Sequence, residues 1–230
     1  MKAAGFNSNF YASLPLADTP FKSEWVNAFE VGSKLDLLDR KLRFNTSAFY
    51  NDYHRFQGFS FNSLETVVKN YDGHFAGGEA ELTAAPRKDL DLTLGASYLH
   101  TELYHVLTAY NGYLNQQSLM SPKWTFNGIL TKRFTVPIGT LALTWDGNYI
   151  AARYQSVDNN AASRLPSSFV QDARITLDIA NQGLQLAFFV NNISNTARVT
   201  YSSDFIAGGG DMLRSYAPPR WIGGSIRKTF

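Results

Sequence analysis

The chain contains no cysteine. Neither a disulfide framework nor a cysteine-ligated metal site is therefore open to it. It also lacks any uninterrupted apolar run of about 18 residues, so no transmembrane helix is expected. An excess of one charge is missing too: 21 basic and 19 acidic residues leave a net charge of +2. That near balance gives no reason to expect nucleic acid as a partner. Histidine is sparse, with four residues, and His54, His74, His100 and His105 fall in no metal-ligand spacing such as HExxH. No metal and no other cofactor is expected. Residues 1–10 hold one lysine and no apolar core of the signal-peptide kind. The sequence is therefore expected to be either a cytosolic protein or a piece of a longer one.

What the chain has in quantity is aromatic residues, 14% of the total, with 12 Tyr and 17 Phe. That composition favours strands, and the hydrophobic pattern repeats every second residue. The cleanest case sets Leu90, Leu92, Leu94, Ala96 and Tyr98 against Asp91, Thr93, Gly95 and Ser97. The same alternation predicts strands at residues 24–35, 42–51, 75–85, 90–98, 123–134, 140–154, 172–179, 184–191 and 219–230. Short turns at 36–40, 86–89, 136–139 and 181–183 alternate with long polar segments at 55–74, 102–122, 155–168 and 194–218.

These strands are mostly longer than the globular average of about 5 to 6 residues, and a tilted strand crosses a bilayer in about 9 to 11. Short turns on one side and long loops on the other match outer-membrane barrels. The expected fold class is therefore all-β, an antiparallel transmembrane β-barrel. The last strand descends from a long loop and places Phe230, the barrel-closing terminal residue, on the periplasmic side. Lys228 interrupts its apolar face near the end, where its stem snorkels to the headgroups. Tyr50, Tyr53, Tyr98, Trp124, Tyr149, Tyr154 and Trp221 stand near strand ends and suit interfacial girdles. Two rivals share the alternation: a soluble β-sandwich carbohydrate-binding module and a passive outer-membrane porin.

Several stretches resemble TonB-dependent outer-membrane receptors. Pro20-Phe21-Lys22-Ser23-Glu24 followed by Phe29-Glu30-Val31-Gly32-Ser33-Lys34 is similar to the family's LKPE…yElGlK stretch. Ala48-Phe49-Tyr50-Asn51-Asp52-Tyr53 resembles its a-F-Y-x-D-Y strand, and Gly78-Glu79-Ala80-Glu81-Leu82 its G-x-E-x-E strand, with the Gly one place closer. Val190-Asn191-Asn192-Ile193 resembles V-x-N-L, and Pro219-Arg220 through Phe230 the terminal P-R-x-…-F. The resemblance implies about nine strands of a barrel of about 22, whose plugged lumen belongs to outer-membrane transporters. Residues 1–230 are then expected to be the carboxyl-terminal part of such a barrel, with the plug and the earlier strands outside it. It further implies a bacterial outer-membrane location and active uptake of a scarce solute such as a ferric siderophore. The implied partners are membrane lipid, the small-molecule ligand, the barrel assembly machinery through the terminal strand, and the TonB energy complex through the amino-terminal part.

No catalytic constellation stands out, and no enzyme is expected. Glu79 and Glu81 share one strand face, as do Asp172 and Arg174. In a barrel both pairs face the lumen or plug, and Asp172 with Arg174 is expected to form a local ion pair or a plug contact. Function would reside in the loops. Tyr104, Tyr110, Tyr113 and Asn115 in one loop, and Tyr201, Arg214 and Tyr216 in another, are the candidate ligand-binding residues, since aromatic, amide and guanidinium groups suit an aromatic, anionic ligand.

Overall fold

A strand that alternates apolar and polar side chains needs an apolar medium on one side and water on the other. The computed structural model describes residues 1–7, 19–62, 65–108, 112–204 and 212–229, and its strands meet that need as a single curved wall. The strands are β1 Gly5–Phe6, β2 Pro20–Phe21, β3 Trp25–Leu37, β4 Leu42–Asn62, β5 Glu65–Arg87, β6 Leu90–Thr108, β7 Gly112–Gln116, β8 Trp124–Val136, β9 Gly139–Ile150, β10 Arg153–Tyr154, β11 Arg164–Leu165, β12 Ser168–Ile179, β13 Leu184–Asn191, β14 Val199–Asp204, β15 Met212–Tyr216 and β16 Trp221–Lys228. The main path runs β16-β13-β12-β9-β8-β6-β5-β4-β3, with β7 paired to β6 beside it. Its strands are the nine that the alternation predicts, joined up and down in sequence order.

Register puts the alternating residues on two chemically distinct faces. On one face Phe44, Ala48 and Tyr50 lie beside Leu82, Gly78 and Ala76, and Leu92, Leu94 and Ala96 beside Leu130, Gly128 and Phe126. The other carries Glu30, Lys34, Asn45, Ser47, Glu79 and Glu81 around a groove. Neither face is covered. Val31, Phe188, Ile222 and Ile226 are 72%, 51%, 61% and 77% exposed on the apolar side. An apolar band of that size, with no second sheet against it among the described residues, is a surface for lipid. The sandwich reading fails here, because a sandwich buries that face against its partner sheet.

The hydrophobic core lies at the long-loop end instead. Tyr71, Leu103, Val106 and Val157 are buried together, with Phe56, Phe75 and Leu119 packed around them. This core corrects the sequence reading of 55–74 as irregular. That stretch continues the hairpin: β4 has 21 residues and β5 has 23, and their register shifts between Tyr53 and Phe56. Arg55 takes a positive φ of 58° there, and its N–H donates to Asp72 Oδ1 at 2.9 Å. The bulge breaks the period of two, which hides the strand from a pattern search. Likewise β6 and β7 extend through much of 102–122 across a second shift, between Leu103 and Val106, and β14 pairs β15 within 194–218.

The expected girdle is realised in part. Tyr98 and Trp124 have ring centroids 4.7 Å apart, Trp124 and Phe126 5.7 Å, and Phe126 and Tyr149 5.9 Å, all on the apolar face near its long-loop end. Tyr53 and Trp221 turn the other way, because their register parity is opposite. Tyr53 packs on Phe75 at 4.6 Å, and Trp221 on Phe189 at 5.1 Å. Lys228 donates to the Gln182 carbonyl at the short-turn end. Phe230 lies outside the described residues.

Candidate functional site

The polar face of the wall encloses a groove of about 720 Å³ lined by Glu30, Lys34, Asn45, Glu79, Glu81 and Asn127, among others. Glu81 Oε1 accepts from Asn45 Nδ2 at 3.2 Å, while Asn45 Oδ1 is buried without a hydrogen-bond partner. Ser97 and Thr125 hydroxyls meet at 2.5 Å across β6 and β8. Gly95 leaves room for Asn127, whose Oδ1 would lie 2.0 Å from a Cβ at that position. Glu79 and Glu81 thus stand together on the polar face, as the alternation places them, with Ser47 and Ser97 opposite Glu79 and Asn45 opposite Glu81.

Asp172 and Arg174 share this face but do not pair with each other. Asp172 Oδ1 accepts from the Asn192 backbone N–H at 2.6 Å. Arg174 lies over the Phe189 ring at 5.6 Å and donates to Thr176 Oγ1 at 3.3 Å. A carboxylate that already accepts a backbone N–H, and a guanidinium held on an aromatic face, are each engaged without the other. The expected ion pair is replaced by these contacts.

At the long-loop end the candidate residues separate. Tyr104 falls on the outward, apolar-side face of β6, where its hydroxyl lies 2.5 Å from His74 Nδ1. Tyr104 and Tyr113 line a pocket of about 320 Å³ with Lys69, Tyr71, Asp72 and His105. Asn115 donates to Glu102 Oε1 at 3.1 Å. Tyr110 lies outside the described residues. On the β14–β15 hairpin Tyr201 faces Ser215 and Arg214 faces Ser202, so Tyr201 and Arg214 occupy opposite faces. Tyr216 is 57% exposed on the Arg214 side.

The sequence reading missed Arg153 and Arg198. Burial depresses the Arg153 pKa from its ordinary value, and nearby Arg198 adds to the effect. The Nε atoms of Arg198 and Arg214 are buried without a hydrogen-bond partner. Arg198 also lines an inner cavity of about 200 Å³ with Asp172, Asn191 and Trp221. Arg153 and Arg198 lie close enough to repel each other and Arg198 keeps an unused donor, a combination that suits an anion. No spacing in the sequence announces it, since β11, β12 and β13 separate Arg153 from Arg198.

A family model described as "TonB dependent receptor-like, beta-barrel" matches residues 1–193. Among solved structures, the wall is similar to the ferric yersiniabactin uptake receptor FyuA from Yersinia pestis, at 16% identity and a TM-score of 0.80, over 100% of this chain and 33% of that one. It is similar to the siderophore receptor PiuA from Acinetobacter baumannii at 20% identity and a TM-score of 0.66, over 93% of this chain and 29% of that one. It is similar also to the ferric-catecholate import receptor Fiu from E. coli K12 at 15% identity and a TM-score of 0.65, over 97% and 29%. The chain therefore spans a third or less of the length of these receptors.

Proposed function

The chain belongs to the TonB-dependent receptor β-barrel family, and from that premise we propose that it is the carboxyl-terminal part of the wall of an outer-membrane active transporter. The observation that carries this reading is the pair of free edges. In the described residues β3 pairs only with β4, and β16 only with β13. Unpaired strand edges are not tolerated in lipid, which supports a wall completed by further strands. A passive porin confined to this chain would need that closure within these 230 residues.

In this reading the groove with Glu79, Glu81 and the unsatisfied Asn45 oxygen receives a plug. TonB acts on that plug from the inner-membrane side, and the terminal strand is what the barrel assembly machinery engages. The transported solute is a compact anion of the ferric siderophore class. Arg153 and Arg198 supply charge for it, and the β14–β15 hairpin offers Arg214 and Tyr216 from one face and Tyr201 from the other. Tyr104, Tyr113 and Asn115 form a second, outward-leaning patch. No bond of the solute is made or broken, and the wall contributes binding, a polar path and support.

The test is uptake of radiolabelled ferric siderophores by cells carrying the receptor with Arg198→Ala and Arg214→Ala together. Surface binding should fall at least about tenfold, the loss expected when charge-assisted hydrogen bonds are removed. Uptake of every ferric chelate at the wild-type rate in cells lacking this chain would overturn the transporter reading.

A further inference from the structure

We propose that His74, His100 and Glu102 form a binding site for a divalent transition-metal ion on the outer wall, just above the aromatic girdle. Each residue offers one ligand atom, and the three atoms lie within 4.8 Å of one another. In the sequence they are scattered, and the sheet brings them together. His74 pairs with Glu102 across β5 and β6, and Ala76 pairs with His100, so all three side chains leave the same face. That face is the outward one, because it continues the row Ala80, Ala76 and the row Leu94, Tyr98. Tyr50 stacks on His74 with ring centroids 6.0 Å apart, which sets the cluster at the upper rim of the apolar band.

The geometry around His74 is that of a held ligand. Its Nδ1 lies 2.5 Å from the Tyr104 hydroxyl, and its Nε2 lies 3.9 Å from Glu102 Oε2. With Nδ1–H donating to the Tyr104 oxygen, the Nε2 lone pair is left toward the carboxylate. A second ring nitrogen tied to an oxygen is the usual support of a metal-bound imidazole. Two atoms bound to one tetrahedral Zn²⁺ sit about 3.4 Å apart, so the observed separation needs only a small side-chain rotation to close. The His74 and His100 rings are already 5.6 Å apart.

Two imidazoles and one carboxylate select the class of ion. Imidazole suits Zn²⁺, Cu²⁺ and Ni²⁺, whereas Ca²⁺ and Mg²⁺ prefer all-oxygen sets. Three protein ligands leave the remaining positions to water. Asn115 donates to Glu102 Oε1, which leaves Oε2 facing the histidines. The site faces away from the groove and the arginines, and it borders the outward-leaning patch through Tyr104 and Asn115. An ion here would tie β5 to β6 at the level where the wall leaves the membrane.

The test is Zn²⁺ uptake by the protein extracted in detergent from the outer membrane, in the assembly it forms there, measured by competition with a chromophoric chelator. His100→Ala and Glu102→Gln are compared with the wild type, with heat-modified gel mobility confirming that each variant is folded. His54→Ala serves as a control, since His54 stacks on Trp25 at 3.7 Å outside the cluster. The expected result is one equivalent of Zn²⁺ per chain at micromolar free metal, lost by at least tenfold in both site variants and kept in the control. Tyr104→Phe should weaken binding about tenfold without abolishing it. Absence of uptake by the wild type, or wild-type uptake by either site variant, would overturn the proposal.

Discussion

The ammonium of Lys132 on β8 donates to the carboxylate of Asp89 in the turn between β5 and β6. The Asp89 carbonyl accepts from the Arg133 backbone N–H at 2.8 Å, so one residue pins the short turn to the next strand twice. The Lys132 hydrogen bond holds the Asp89 carboxyl below its ordinary pKa, against a smaller opposing effect of desolvation. A carboxyl lowered in the folded state stabilises it above the unfolded pKa of about 3.9, and loses that contribution as pH falls through the folded value. Asp89→Asn should therefore lower the melting temperature of the membrane-extracted protein near neutral pH. The difference from the wild type should vanish in acid below the folded pKa; an equal difference at both pH values would contradict this origin.

The turn from β3 to β4 holds strain that one substitution should release. Lys41 N donates to Leu38 O at 3.1 Å, and Asp39 and Arg40 have φ of 55° and 65°. Two left-handed central residues make a type I′ turn, which favours Asp-Gly. A left-handed non-glycine residue costs about 1 to 2 kcal/mol, so Arg40→Gly should stabilise the hairpin by about 1 kcal/mol. Urea unfolding in micelles, followed by tryptophan fluorescence, would show it as a higher midpoint.

Gly139 presents the opposite case. A Cβ there would lie 1.9 Å from the Asp178 carbonyl oxygen of β12. The backbone of a neighbouring strand cannot yield as a flexible side chain would. Gly139→Ala should destabilise the β8–β9 hairpin by more than about 1 kcal/mol, visible as reduced recovery of heat-modifiable protein from the outer membrane.

The loop core offers a prediction about motion. Leu103 is fully buried against Val157, and Asn159 exchanges hydrogen bonds with Gln117, 2.9 Å each way. Leu103→Ala should remove about 2 to 5 kcal/mol. The loss falls on the outer loops, because the wall itself has no such core. Limited proteolysis of whole cells should then cut within 153–165 far faster than in the wild type, while the strands stay protected.

On the lipid face, Trp145 Nε1–H donates to Gln171 Oε1 at 3.3 Å. A polar group facing hydrocarbon needs a partner. Gln171→Ala should destabilise the wall by about 1 kcal/mol, and a double-mutant cycle with Trp145→Phe should recover most of that as coupling. Additive effects would show that the two side chains are solvated separately.

The nine wall strands were legible in the sequence because lipid and water sort side chains by chemistry at every second position. Leu90 through Tyr98 shows this with no exception. Beyond the bilayer both faces of β4 and β5 meet water or loop, and the bulge at Arg55 shifts the phase, so the extension through 55–74 could not be read. Tyr53 and Trp221 show the same limit on a smaller scale, since proximity to a strand end does not fix the face.

The sequence by itself determined the fold class, the order of strands, the two faces of the wall and the positions of Glu79, Glu81, Asp172 and Arg174 on the inner one. Local periodicity carries that information, residue by residue. Only the tertiary structure decided which residues meet. Strand register, set by hydrogen bonds between residues far apart in the chain, put His74 opposite Glu102, turned Tyr104 outward and gave Asp172 and Arg174 different partners. Packing of segments far apart in the chain brought Arg153 close to Arg198. Contacts of that kind depend on pairings between segments, and no single segment records them.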